Sequence, residues 1–143
     1  MSRRKTRVTF TSNRKQHVRK LKRARDAGLR DAIMLAHGDA LLATPVDTGA
    51  LRASLAYAVS GRRQHRATKT GRDGKSATSA YEVTAPEGVA RLGSNLDYAP
   101  KVHEDLDTPR RVGGPKFIEK PMREGQERYL KAMRARTVAE MNR

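Results

Sequence analysis

From Val18 onward, apolar residues recur at steps of three and four: Val18, Leu21, Ala24, Leu29, Ala32, Ile33, Ala36, Ala40 and Leu41. That spacing predicts an amphipathic helix. Ser12 or Asn13 can cap it near Arg14, and it runs to about Ala43. Gly28 and Gly38 each weaken it by about 1 kcal/mol relative to alanine, so either marks a bend or a close contact. Off the apolar stripe, the first half is almost wholly basic and the second half is neutral and alanine-rich. The first half should therefore project or bind, and the second half should pack. His37 lies near the stripe with no metal-spaced partner, which predicts a packed or surface histidine.

Pro45 ends this helix, because it disfavours helical geometry at Thr44. The stretch Thr44-Pro45-Val46-Asp47-Thr48-Gly49-Ala50-Leu51-Arg52-Ala53-Ser54 then reads as a corner. Asp47 suits the N-cap of a short helical turn, accepting from the amides of Gly49 or Ala50. Thr48 and Gly49 allow the bend. Leu51 and Leu55, four apart, plug into the core. Arg52 points elsewhere, toward a carboxylate or a neighbouring chain.

Beyond the corner the period changes to two. Residues 54–60 alternate Leu55, Tyr57 and Val59 as a strand with one buried face. Residues 61–79 lose all periodicity and carry Arg62, Arg63, Arg66, Lys69, Arg72 and Lys75, with a turn signal at Asp73-Gly74. They predict a long basic hairpin tip, extended or mobile. Residues 79–84 read as a second strand with Tyr81 and Val83 inward, and residues 89–94 as a third. Tyr98, Val102 and the stem of Lys101 suit a short helical turn. Residues 105–116 form a loop, Phe117-Ile118 restart packing, and a helix begins at Lys120 or Pro121 and runs to the end. Its stripe of Met122, Tyr129, Leu130, Met133, Val138 and Met141 reads as core or subunit contact. The fold class expected is α+β: long N- and C-terminal helices on a small antiparallel sheet of about three to four strands, with a basic N-terminal arm and a long basic hairpin loop. Residues 1–13 are the arm and residues 14–143 a single domain.

Composition sharpens this picture in three ways. Aromatic residues make up 4% of the chain and charged residues 32%, so the core is modest, and the expectation is either partial disorder or an oligomer that completes the core across subunits. There is no cysteine, hence no disulfide framework and no thiolate metal site. No apolar run is long enough to span a membrane and no signal-peptide core follows the basic start, which predicts a soluble protein made in a cytoplasm. The formal net charge is +16. Residues 1–30 hold twelve Lys/Arg against one acid, Asp26, so most of the excess sits in the arm and first helix. Such a distribution favours a polyanion.

Val46-Asp47-Thr48-Gly49-Ala50 also matches the active-site loop of retroviral-type aspartic proteases, in which two chains each supply one Asp. The context argues against it. That loop needs an apolar strand before the Asp, and here a helix pattern and a proline precede it. No catalytic residue, cofactor or metal site is expected.

Three segments together resemble one family. They are Pro45–Ser54 after a helix, Leu96-Asp97-Tyr98-Ala99-Pro100-Lys101-Val102-His103-Glu104 after the last strand, and Gly114-Pro115-Lys116-Phe117-Ile118-Glu119-Lys120-Pro121-Met122 before the final helix. The pattern resembles the gene-product-ten-like neck or tail-completion proteins of lambdoid, long-tailed bacteriophages, over roughly residues 14–140. Asp105 stands where a glycine is usual in that family, and Met122 where a small residue is usual. The resemblance implies a non-enzymatic structural protein of the virion's head–tail junction, forming a six- or twelve-fold ring that joins connector to tail. Its partners would be copies of itself, connector or stopper proteins, tail terminator or tail-tube proteins, and DNA in the channel. The structural corner and subunit contacts would be Pro45, Asp47, Thr48, Gly49, Leu51, Arg52, Tyr98, Glu104 and Phe117. The alternative function is nonspecific nucleic-acid binding through the arm and loop 61–79, with Arg3, Arg4, Lys5, Arg7, Arg62, Arg63, Arg66, Lys69, Arg72 and Lys75 as candidate polyanion contacts.

Overall fold

A computed structural model describes residues 12–46, 49–63, 68–70, 76–78 and 83–143. The architecture is α+β, with helices packed on a small antiparallel sheet. Helix α1 spans Arg14–Ala43, as its periodicity predicts. The short helix α2 (Ala50–Ser54) follows the corner. Strands β1 (Ala56–Val59), β2 (Arg62–Arg63), β3 (Thr68–Thr70), β4 (Ser76–Thr78) and β5 (Ala90–Gly93) come next. Three helices close the chain: α3 (Ala99–Glu104), α4 (Glu119–Glu124) and α5 (Gln126–Met141).

The body of the sheet is the antiparallel pair β1–β5, registered from Ala56 opposite Gly93 to Val59 opposite Ala90. β2 adds a two-residue edge on the other side of β1. The neighbours of β1 are therefore β2 and β5, and not the second strand expected over residues 79–84. Val83 and Thr84 are not strand, and residues 79–82, with Tyr81, lie outside the described residues. The reason is the turn at Ser60-Gly61, where both residues have positive φ (47° and 76°). Paired positive φ values in a two-residue loop return the chain at once along the strand it left. Within the basic stretch 61–79, β3 and β4 pair antiparallel as a separate two-stranded ladder.

The Ser60 hydroxyl holds this turn to α1. It donates to Asp26 Oδ1 at 2.7 Å and accepts from the Gly88 amide at 3.0 Å. Ser60 and Gly61 amides also donate to Val89 and Ala85 carbonyls. The hydrophilic end of β1 is thus fixed by polar contacts and its middle by apolar ones. Tyr57 and Val59 pack on Ile33, Ala36 and Tyr129. The expectation of one buried face is corrected here: all four β1 residues are buried, so Ala56 and Ala58 are covered as well. The two alanines gave no apolar signal because they are too small to mark a stripe.

His37 is a packed histidine. It is buried, with Nε2 3.1 Å from the Leu55 carbonyl and its ring 5.2 Å from that of Tyr57. The final helix differs from a single run: it breaks at Gly125 into α4 and α5. Gly125 is where Tyr129 folds back, since a Cβ there would stand 2.3 Å from the tyrosine ring. The Tyr129 hydroxyl donates its proton to Asp39, which also binds Arg128, and stands 3.1 Å from the Pro121 carbonyl. Burial pushes the Tyr129 phenol above its ordinary pKa of 10.0. Tyr129 is the one buried residue of α5; Leu130 and Met133 are half-buried, and Val138 is 59% exposed. The methionine-rich stripe, expected as core or subunit contact, is therefore only partly covered within the subunit.

Candidate functional site

The three segments singled out in the sequence meet around Phe117. Its side chain is 1% exposed and packs with Ala40, Leu51, Leu55 and Ala99. One residue of that cluster comes from α1, two from the corner and one from α3. The His103 ring meets Phe117 edge-on at 4.9 Å. These contacts join stretches that are separated by tens of residues along the chain.

The end of α1 is closed by polar groups from the first and third of these segments. A helix leaves its last carbonyls without intrahelical partners. Here the Ala43 carbonyl accepts from the Gly114 amide at 3.0 Å, and the Thr44 carbonyl accepts from Arg52 Nη2 at 3.1 Å. The Thr44 hydroxyl donates back to the Ala40 carbonyl. Among the described residues, Arg52 binds a backbone carbonyl. Its Nε is buried with no hydrogen bond among the described residues. Gly113 sits at φ 74° with Thr44 backbone against it; a Cβ there would be 2.5 Å from the Thr44 carbonyl carbon. Only glycine allows that approach.

Around Phe117 lies a ring of charge. Lys116, itself at φ 54°, reaches Glu104 and stands 3.2 Å from Glu119, and its amide donates to the His103 carbonyl at 2.7 Å. The Glu119 amide donates to His103 Nε2, so His103 Nδ1 carries the proton and donates to Glu104 at 2.8 Å. The hydrogen bond from Lys116, then that from His103, holds the Glu104 carboxyl below its ordinary 4.5. The same bond to Glu104, helped by Glu119, raises Lys116 above 10.5. Asp105 is also lowered, first by Thr108. It accepts from the amides of Asp107 and Thr108 and pairs with Arg110 at 2.8 Å. Asp105 therefore organises the following loop.

The signs define a pH window. Glu104 binds its proton more weakly folded than unfolded, so its contribution is full above 4.5 and is lost as pH falls through the lower folded value. Lys116 contributes below 10.5 and loses that contribution as pH rises through its higher folded value. The Tm difference between the protein and a Glu104→Gln variant should be present at neutral pH and vanish on acidification. A difference that persists in acid would show that the carboxylate charge is not what matters.

Among the residues expected at this site, Pro45 and Leu51 are buried, Gly49 precedes α2 with φ 76°, and Phe117 is the centre. Tyr98 is 45% exposed, and as the residue before α3 its carbonyl accepts from the Val102 amide at 3.1 Å. Ala99 takes the core position. Asp47 and Thr48 lie outside the described residues, and so does the aspartic protease reading that rests on Asp47. Among the described residues α2 follows Gly49 with no side-chain cap. Arg3, Arg4, Lys5, Arg7, Arg66, Arg72 and Lys75 also lie outside, as do the side chains of Arg62, Arg63 and Lys69.

Sequence reasoning missed Gly113, Lys116 and His103, and the Ser54–Ser94 hydroxyl pair at 2.6 Å that ties α2 to the end of β5. The Gly113-Gly114-Pro115 run was the available signal for the first of these. Surface hollows of about 560 Å³ flank the centre; two of them share Ala43, Pro121 and Glu124. Among the described residues no group of three or more His, Cys, Asp or Glu is placed to hold a metal, and no helix is long and apolar enough to cross a membrane.

No family model, curated protein or solved structure matches this chain.

Proposed function

We propose that the chain is a structural subunit of the head–tail junction of a long-tailed bacteriophage, assembling as a closed ring between connector and tail. The observation that carries this reading is the convergence on Phe117. The three segments that resemble the neck and tail-completion family are distant in sequence and form one packed unit.

A ring subunit needs two different complementary surfaces, because its contacts run head to tail. The surface offers apolar residues for that purpose: Leu42 is 75% exposed, Leu106 68% and Val112 51%. Leu42 and Leu106 line the hollows beside the Phe117 unit. A three- to four-stranded sheet, extended by the hairpin of residues 61–79, completes the subunit in this reading. The neighbouring proteins are the connector or stopper below and the tail terminator or tube above. The chain acts as architecture and not as a catalyst.

Native mass spectrometry and electron microscopy of the purified chain, alone and with tailless heads, test this. A six- or twelve-fold ring that appears alone or on the heads is the expected result. A protein that stays monomeric in both settings, or heads that join tails normally when the gene is deleted, overturns it.

A further inference from the structure

α1 is longer than the body it serves. From Ser12 to Arg23 every residue is exposed, and burial begins abruptly at Ala24. α5 packs against α1 at Gly28, where Thr137 and Met133 close in, and Ala24, one turn earlier, is the first buried residue of the helix. At about 1.5 Å per residue, Arg14–Arg23 is an exposed helical rod about 15 Å long, tied to the body near its end by Lys22.

The rod carries Arg14, Lys15, Arg19, Lys20, Lys22 and Arg23 and no acid. Lys22 is paired, 2.9 Å from Glu87. The other five have no carboxylate partner among the described residues. Lys15, Arg19 and Arg23 stand four apart, a spacing at which like charges destabilise a helix. A ligand that brings anions relieves this repulsion.

The distribution of the charges selects among anions. At about 100° per residue, the six basic residues spread over an arc of about 240°, from Arg14 through Lys22, Lys15, Arg19 and Arg23 to Lys20. A flat acidic surface meets one side of a helix. A duplex major groove about 12 Å wide takes a helix about 10–12 Å across and offers phosphates on both sides. Single strands are bound through stacking on aromatic rings, and no Phe, Tyr or Trp lies between Ser12 and Arg23.

We propose that the exposed N-terminal third of α1 is a sequence-independent binding element for double-stranded nucleic acid. Lys15, Arg19, Lys20 and Arg23 contact phosphates on the two walls of one major groove. This site is separate from the arm and from loop 61–79, and it operates in a monomer as well as in a ring.

The test is a salt titration of the full chain on a labelled random-sequence duplex. Four or five neutralised phosphates weaken binding roughly 150–500-fold between about 50 and 200 mM salt, in addition to whatever the arm contributes. The combined variant Lys15→Gln, Arg19→Gln, Lys20→Gln, Arg23→Gln changes only exposed positions and should keep its circular dichroism and Tm. Its slope of log affinity against log salt should be shallower by about 3–4. An arm variant, Arg3→Gln, Arg4→Gln, Lys5→Gln, Arg7→Gln, should retain the share that the α1 variant loses. An unchanged slope in the α1 variant overturns the proposal. So does tighter binding of single strands than of duplex, or competition by polyglutamate as effective as that by a duplex of equal charge.

Discussion

Phe117→Ala should lower stability by roughly 3–5 kcal/mol, read as a shift of the urea midpoint at unchanged slope. The side chain is 1% exposed and packs on residues from α1, α2 and α3 together. Its removal leaves a void that three separate elements would have to collapse into. The His103 ring loses its edge contact, and the lysine–glutamate pairs around it lose their support. Against a total of about 5–15 kcal/mol for an ordinary domain, this is a large share. Met122→Ala, at a 40% exposed position nearby, should stay within about 0.5 kcal/mol. A Phe117→Ala cost below about 1 kcal/mol would mean that the site can collapse or was never tightly packed.

The second large effect separates two glycines in one helix. Replacing glycine by alanine inside an open helix gains about 1 kcal/mol. Gly38 has nothing within 4 Å of an added Cβ, so Gly38→Ala should show that gain. Gly28→Ala should instead cost roughly 1–3 kcal/mol. Its Cβ would stand 2.3 Å from Thr137 Oγ1 and 2.6 Å from the Met133 carbonyl oxygen. The hydroxyl can turn aside, but the carbonyl belongs to the backbone of α5 and cannot. The helices must separate, and the Tyr129–Asp39 and Arg136–Asp31 contacts along the same interface separate with them. Adding Thr137→Ala should recover only part of the loss. Thermal melts of the three variants check the order, and equal effects at both glycines would refute it.

How much of this was legible depended on whether the signal was local. α1 was readable from end to end, because its spacing is regular and Pro45 stops it. Leu51 and Leu55 were readable as core residues for the same reason. The role of Gly28 was half readable: the sequence shows a helix-weakening residue, but not that Thr137 stands opposite. The sheet order was misread because Ser60-Gly61 looked like the start of a loop. Its two positive φ values make it a hairpin turn, and serine does not announce that conformation. The packing of Ala99 against Phe117 was not legible, because a small residue beside a large aromatic gives no apolar signal of its own. The break at Gly125 was hidden because the apolar spacing continues across it. The ring of charge around Phe117 was invisible, since it depends on the backbone of Lys116 adopting a left-handed conformation that lysine rarely takes.

The pairing of α1 with α5 constrains how the chain matures. Asp39 and Tyr129 meet across 90 positions, and Gly28 waits for Thr137. At about 5–20 residues per second, a ribosome leaves that flank of α1 uncovered for roughly 5–20 seconds. During that interval the flank is sticky, and a chaperone or a neighbouring nascent chain has time to find it. Cutting the message short before the last helix would make that transient vulnerability permanent, so truncated products should precipitate even though most of the sheet has already been made.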